Sequence, residues 1–116
     1  MTTIGTLHSA FATDRKNAED VHLGRVFRVE GVVLHAGESM YSTPAIEVSD
    51  RPGGQLKAVF VLPFGRKIGA SFRQLEEVRP GQLIAVTGEC RMVSDPDGVL
   101  VFKECVIMDS PARTLR

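Results

Sequence analysis

Residues 81–108 read GQLIAVTGECRMVSDPDGVLVFKECVIM, and the reading of this stretch decides the fold. Ile84, Val86, Gly88, Cys90 and Met92 alternate with Leu83, Ala85, Thr87, Glu89 and Arg91, the period of a half-buried strand. A second β-rich run over 99–107 follows the turn-forming Ser94-Asp95-Pro96-Asp97-Gly98, so the pattern predicts one long β-hairpin. A hairpin alone is at best marginally stable in water, and its apolar face needs further strands to cover it.

The residues upstream supply that cover. Ser71 reads as an N-cap with Gln74 three residues on, opening a short helix whose stripe is Phe72, Leu75 and Val78 and whose end is Pro80-Gly81. Before it lies PFGRKIGA (63–70), a basic, glycine-containing loop, and before that a strand over 56–62. That strand is ambiguous, because Val59 and Val61 oppose Ala58 and Phe60 and either pair could be core. A turn at 50–54 (DRPGG) separates it from a strand over 45–49, where Ile46 and Val48 oppose Glu47 and Ser49. The polar loop 36–44 carries the single tyrosine. The first strand, 25–35, sets Phe27, Val29, Gly31 and Val33 on one face, with Gly31 the expected point of bending. Residues 6–21 are expected to form a leading helix, with Leu7, Phe11 and Ala18 on its apolar side and Asp14, Arg15, Lys16, Glu19 and Asp20 largely solvated.

Helix, three strands, helix, two strands is the element order of the five-stranded oligonucleotide/oligosaccharide-binding (OB) barrel, an all-β fold with flanking helices. An SH3-like barrel or a small sandwich also fits the strand pattern, but neither needs an amphipathic helix at that place. The expectation is a single domain over 1–116, with its barrel over about 25–108 and a disordered tail at 110–116.

Composition narrows the function classes. Fourteen basic residues balance fourteen acidic ones, which excludes a strongly basic nucleic-acid binder and leaves only a local patch. Rings on which bases could stack are few: six Phe, one Tyr and no Trp. Two cysteines are too few for a disulfide framework, and without a Cys-x-x-Cys or a Cys/His cluster no zinc or other cofactor is expected. The first twenty residues lack the basic start and apolar run of an export signal, and no segment reaches the length of a membrane span, so a cytoplasmic protein without a membrane partner is expected.

The chain also resembles the tRNA_anti-like family of OB-fold proteins. The likeness is carried by Asn17-Ala18 ahead of Leu23-Gly24-Arg25, by Val29-Glu30-Gly31-Val32-Val33, by Gly81 leading into Val86-Thr87-Gly88-Glu89-Cys90, and by Phe102-Lys103-Glu104-Cys105-Val106-Ile107. It spans about Phe11 to Met108 and implies the OB fold, while fold alone does not fix an activity. Many members look exported or lipid-anchored; this chain is expected to depart from them, without a leader or a lipobox cysteine.

OB-fold ligands usually lie across the second and third barrel strands, between the loop joining strands one and two and the loop joining strands four and five. Those places hold Tyr41 with Ser42 and Thr43, Lys57 and Phe60 on the third strand, and Phe64, Arg66 and Lys67 after it. Rings for stacking and cations for phosphates are what a single strand of nucleic acid requires. The plainer reading makes Phe60 and Phe64 core and Arg66 and Lys67 ordinary solvated charges. Asp95, Asp97 and Glu47 would repel phosphates, so the expected binding is weak or context-dependent. Arg25 and Arg28 are expected to pair with Glu30 and the acids of the leading helix.

Cys90 and Cys105 fall opposite each other if the hairpin turn is centred near Asp97, which makes a cross-strand disulfide geometrically conceivable; two small buried thiols are the plainer reading. His8, His22 and His35 lie far from both in sequence, and His22, His35 and Glu38 match no metal-ligand spacing. Gly65 and Gly69 around Arg66-Lys67 lack the spacing of a phosphate-binding loop. No catalytic set emerges. The sequence therefore points to a non-enzymatic module for single-stranded DNA or RNA, with Tyr41, Lys57, Phe60, Phe64, Arg66 and Lys67 as contacts. The competing reading is a protein-interaction or homo-oligomeric assembly module with no nucleic-acid ligand.

Overall fold

A computed structural model describes residues 2–38, 43–54, 56–94 and 99–109. In chain order they form β1 (Thr2–Thr3), α1 (Ile4–Thr13), α2 (Arg15–His22), β2 (Val26–Glu38), β3 (Pro44–Ser49), β4 (Lys57–Val61), a 3-10 turn (Gly65–Lys67), α3 (Ile68–Leu75), β5 (Leu83–Ser94) and β6 (Val99–Asp109). The strands run β1-β2-β3-β4-β6-β5, and β5 pairs back onto β2, so β2 to β6 close into a five-stranded barrel. β4 and β6 meet in parallel while the other barrel pairs are antiparallel. This is the OB fold, with α3 between its third and fourth barrel strands as the element order requires. Among the described residues, no helix is long and apolar enough to cross a membrane.

Closure depends on the length of β2. Its first half, Val26 to Val32, pairs with β5, and from Val32 onward it pairs with β3. The register slips between Val33 and His35, so the bulge falls at Leu34 and not at Gly31, where the sequence placed the bend. Gly31 serves a different purpose. A Cβ there would lie 2.8 Å from Val48 Cβ and 3.1 Å from Ile4 Cδ1, so the missing side chain is what lets β3 and α1 close over the strand.

The expected leading helix is two helices. Asp14 is extended (φ −153°, ψ 91°); its N–H donates to the Ala10 carbonyl at the end of α1, and its side chain accepts from Asn17 N to cap α2. A short acceptor side chain followed by a backbone donor three residues on breaks the helix there. Ile4, Leu7 and Phe11 of α1 and Ala18 of α2 enter the core, and β1 runs in parallel beside Val29 and Glu30.

His22, at the end of α2, packs between Phe11 and Phe27, with ring centroids 6.1 and 5.6 Å away. Its Nδ1 is buried and finds no hydrogen-bond partner among the described residues. An unsatisfied buried polar atom costs about 1–3 kcal/mol. His22→Phe keeps a ring of similar shape and removes that atom, so it is expected to raise stability by about 1 kcal/mol and the melting temperature by about 4 °C. Thermal unfolding followed by circular dichroism checks this, and an unchanged or lower midpoint would contradict it.

One interior layer runs across all five barrel strands: Ala36, Ile46, Phe60, Phe102 and Cys90 are successive register partners. Phe60 and Phe102 meet edge to face at 5.6 Å, and both are fully buried. The ambiguous strand is thereby resolved, with Ala58 and Phe60 facing inward.

The hairpin alternates as read, with Ile84, Val86, Gly88 and Cys90 inside, but its register carries bulges. Thr87 pairs with Val106 and Glu89 with Lys103, so Gly88 faces two residues, Glu104 and Cys105. Glu104 takes the left-handed backbone (φ +53°), and the Cys105 sulfur occupies the space a Gly88 side chain would need. Pairing begins with Ser94 opposite Val99 and slips at Arg91, which puts Cys90 opposite Phe102, not Cys105, and removes the geometry of the disulfide reading. Both cysteines are free and buried, and burial pushes the Cys90 thiol up to about 11 and the Cys105 thiol up to about 12.

The helix after β4 starts earlier than its sequence cap. Gly65 (φ +75°) lets the chain turn into the 3-10 segment, which runs directly into α3, and neither start carries a side-chain cap. Ser71 is not the N-cap: it is buried within α3, and its hydroxyl donates back to the Pro63 carbonyl. Leu75 and Val78 enter the core as the stripe predicted, with Phe72 partly buried against it.

Candidate nucleic-acid interface

Strand parity determines which side chains the barrel can offer to a ligand. Directly opposite residues share a face, so the outward row next to the interior layer is His35, Glu47, Val59 and Val101, across β2, β3, β4 and β6. His35 and Glu47 are exposed, while Val59 and Val101 are half-buried. The middle of this outer face is therefore aliphatic and acidic, with no cation in the row.

Of the proposed contacts, Phe60 is withdrawn: it belongs to the interior layer and presents nothing to solvent. Lys57 is exposed at the start of β4, where its carbonyl accepts a hydrogen bond from His8 Nε2 (2.9 Å), pinning α1 to the barrel. Phe64, Arg66 and Lys67 leave from the other end of the strand and are all exposed. Five residues of β4 at about 3.3 Å per residue separate the two ends by about 13 Å. The structure thus brings Phe64, Arg66 and Lys67 together at one corner and leaves Lys57 apart from them. Tyr41 lies outside the described residues, as do Asp95 and Asp97.

The corner is well defined. Leu62 N donates to the Pro44 carbonyl at 2.9 Å, which fixes the chain leaving β4 against the start of β3. Pro63 then ends the strand, and the 3-10 turn presents Arg66 and Lys67 beside Phe64. Among the described residues Phe64 is the exposed aromatic side chain, at 48% of its surface, and Ile68 (38%) lies one turn further on. Ile68 was not singled out from the sequence; its exposure follows from the helix starting before Ser71. Among the described residues, the ion pairs join Arg15 to Glu19, Arg91 to Glu89 and Arg51 to Asp50, and none engages Lys57, Arg66 or Lys67. None engages Arg25 or Arg28 either, so the expected pairing of those two with Glu30 and the helix acids is absent from this set. No group of three or more metal-ligating side chains occurs among the described residues.

A second surface was also missed. Leu83, Val106 and Met108 are about half exposed on the outer side of β5 and β6. Apolar residues at both parities of these strands were the available signal, since Ile84, Cys105 and Ile107 already fill the inner face. Among the described residues β4 pairs with β6 only from Leu100 to Phe102, leaving the later part of β6 with a partner on one side.

A family model described as tRNA_anti-like matches residues 2–106. No curated protein matches the sequence. A candidate nucleic acid-binding lipoprotein from Klebsiella pneumoniae has a similar structure, with a TM-score of 0.68 and 16% identity, covering 94% of this chain and 92% of that one. Two OBodies bound to hen egg-white lysozyme are similar over 78% of this chain and 86% and 83% of theirs, with TM-scores of 0.54 and 0.53 and identities of 22% and 23%. At these identities the likeness is one of fold.

Proposed function

The chain belongs to the tRNA_anti-like family, and on that premise we propose that it is a non-enzymatic module that binds single-stranded nucleic acid weakly at the corner between β4 and α3. The observation that carries this reading is the exposed Phe64 ring beside Arg66 and Lys67 in one short turn. A base stacks on the ring without sequence preference, and its flanking phosphates meet the two cations. Further support comes from the likeness in fold to the Klebsiella candidate nucleic acid-binding lipoprotein.

Fluorescence-anisotropy titration of labelled DNA and RNA oligomers tests the proposal. Binding should weaken with salt, with a log–log slope of about −1.4 for two neutralised phosphates on a single strand. Arg66→Glu/Lys67→Glu should cost about tenfold or more at low salt by replacing two attractions with two repulsions. Salt-insensitive binding, or a double mutant that binds as well as the parent, would refute the assignment.

A second reading is favoured by the exposed Leu83, Val106 and Met108 beside the singly paired end of β6. An apolar strip along a strand edge suits a protein partner or a second copy of the chain, and the OBodies are relatives in fold that hold a protein. Light scattering after size exclusion separates the two: this reading expects self-association that is lost in Val106→Lys.

A further inference from the structure

We infer that Glu47 is a specificity-determining residue that ends the path of the bound strand, so that the protein takes short single-stranded segments in preference to long ones. This rests on the nucleic-acid reading of the corner and goes beyond it by fixing the length of ligand. Ligands of this fold usually lie across the second and third barrel strands, so a strand stacked on Phe64, with phosphates on Arg66 and Lys67, continues over the outer face of β3 and β4. The next charged side chain there is Glu47, exposed in the row His35, Glu47, Val59, Val101, and Val59 and Val101 offer no cation to offset it.

Lys57, the next cation along β4, lies beyond Glu47, because Ser49 is its partner on β3 and Glu47 pairs with Val59. A phosphate approaching Lys57 from the corner along β3 and β4 therefore has to pass a carboxylate, and the residues of those two strands on the way hold no cation to offset the repulsion. Along this path the cations that can engage together are the two at the corner. This limits the footprint to about four nucleotides, the low end for an OB barrel.

The test is a comparison of oligothymidylates about four and about twelve nucleotides long, titrated at low salt against the parent, Glu47→Gln and Glu47→Lys. For the parent, affinity per binding register should be the same for both lengths. Glu47→Lys should raise affinity for the long oligomer about fivefold to tenfold and leave the short one unchanged within about twofold, with Glu47→Gln between. Parent affinity that climbs with length after correction for the number of registers overturns the inference while leaving the corner site intact. So does an equal gain for both oligomers in Glu47→Lys. No binding of either oligomer overturns the nucleic-acid reading and this inference with it. Glu47 is exposed, and circular dichroism of each variant verifies that the barrel is unchanged.

Discussion

Phe60→Ala is expected to lower the unfolding free energy by about 3–5 kcal/mol, read from urea denaturation. Phe60 is fully buried and meets Phe102 edge to face in the layer that crosses all five strands, so truncation removes a ring from the centre of the barrel. Natural domains of this size are stable by about 5–15 kcal/mol, and the variant would lose much of that margin. Phe64→Ala should do the opposite. The ring is half exposed, so stability should change by no more than about 0.5 kcal/mol, while oligonucleotide binding should weaken by about 1–3 kcal/mol as a stacked base loses its platform. Loss of stability from Phe64→Ala with no change in binding would contradict both assignments.

The second large effect is at Gly88. A Cβ there would lie 2.5 Å from the Cys105 sulfur and 3.3 Å from Phe102 Cβ, distances that force movement. The sulfur is carried by a single Cβ next to a bulged backbone and has little freedom to retreat, so Gly88→Ala should cost about 2–3 kcal/mol. Cys105→Ala should lose about 1–2 kcal/mol through the cavity it leaves. Combined, the new methyl group enters the space the sulfur vacated, and the double variant should be more stable than the sum of the two losses by about 1–2 kcal/mol. A double-mutant cycle by chemical denaturation measures that coupling, and strict additivity would show that the sulfur does not fill the Gly88 vacancy.

The sequence was legible wherever a period sufficed. Alternation over 83–92 identified the inner face, and the helix between two groups of strands led to the barrel. Features that depend on long-range register were not legible. Counting outward from the hairpin turn paired the two cysteines because neither the place where pairing begins, Ser94 opposite Val99, nor the slip at Arg91 leaves a mark on the alternation. Phe60 and Val59 were indistinguishable until Ile46 and Phe102 fixed the register of β4. Ser71 has the residue type of a cap, but its hydroxyl partner is Pro63, eight positions away. At the candidate site, Phe64, Arg66 and Lys67 could be picked out because they are neighbours in the chain. Their separation from Lys57, and the place of Glu47 between them, exist only once β3 and β4 are aligned.

The long first barrel strand also has a consequence for biosynthesis. Val32 holds Ser49 on one side and Leu83 on the other, and about 50 residues of chain separate it from Leu83. A ribosome adding about 5–20 residues per second needs about 3–10 s to deliver that partner. During this interval a nascent three-stranded meander exposes the edge of β2 and the inward faces of Ile46, Val48 and Phe60. Neither β5 nor β6 is yet available to cover them. The barrel therefore cannot close progressively as it is made; closure waits for the strand that is synthesised last but one.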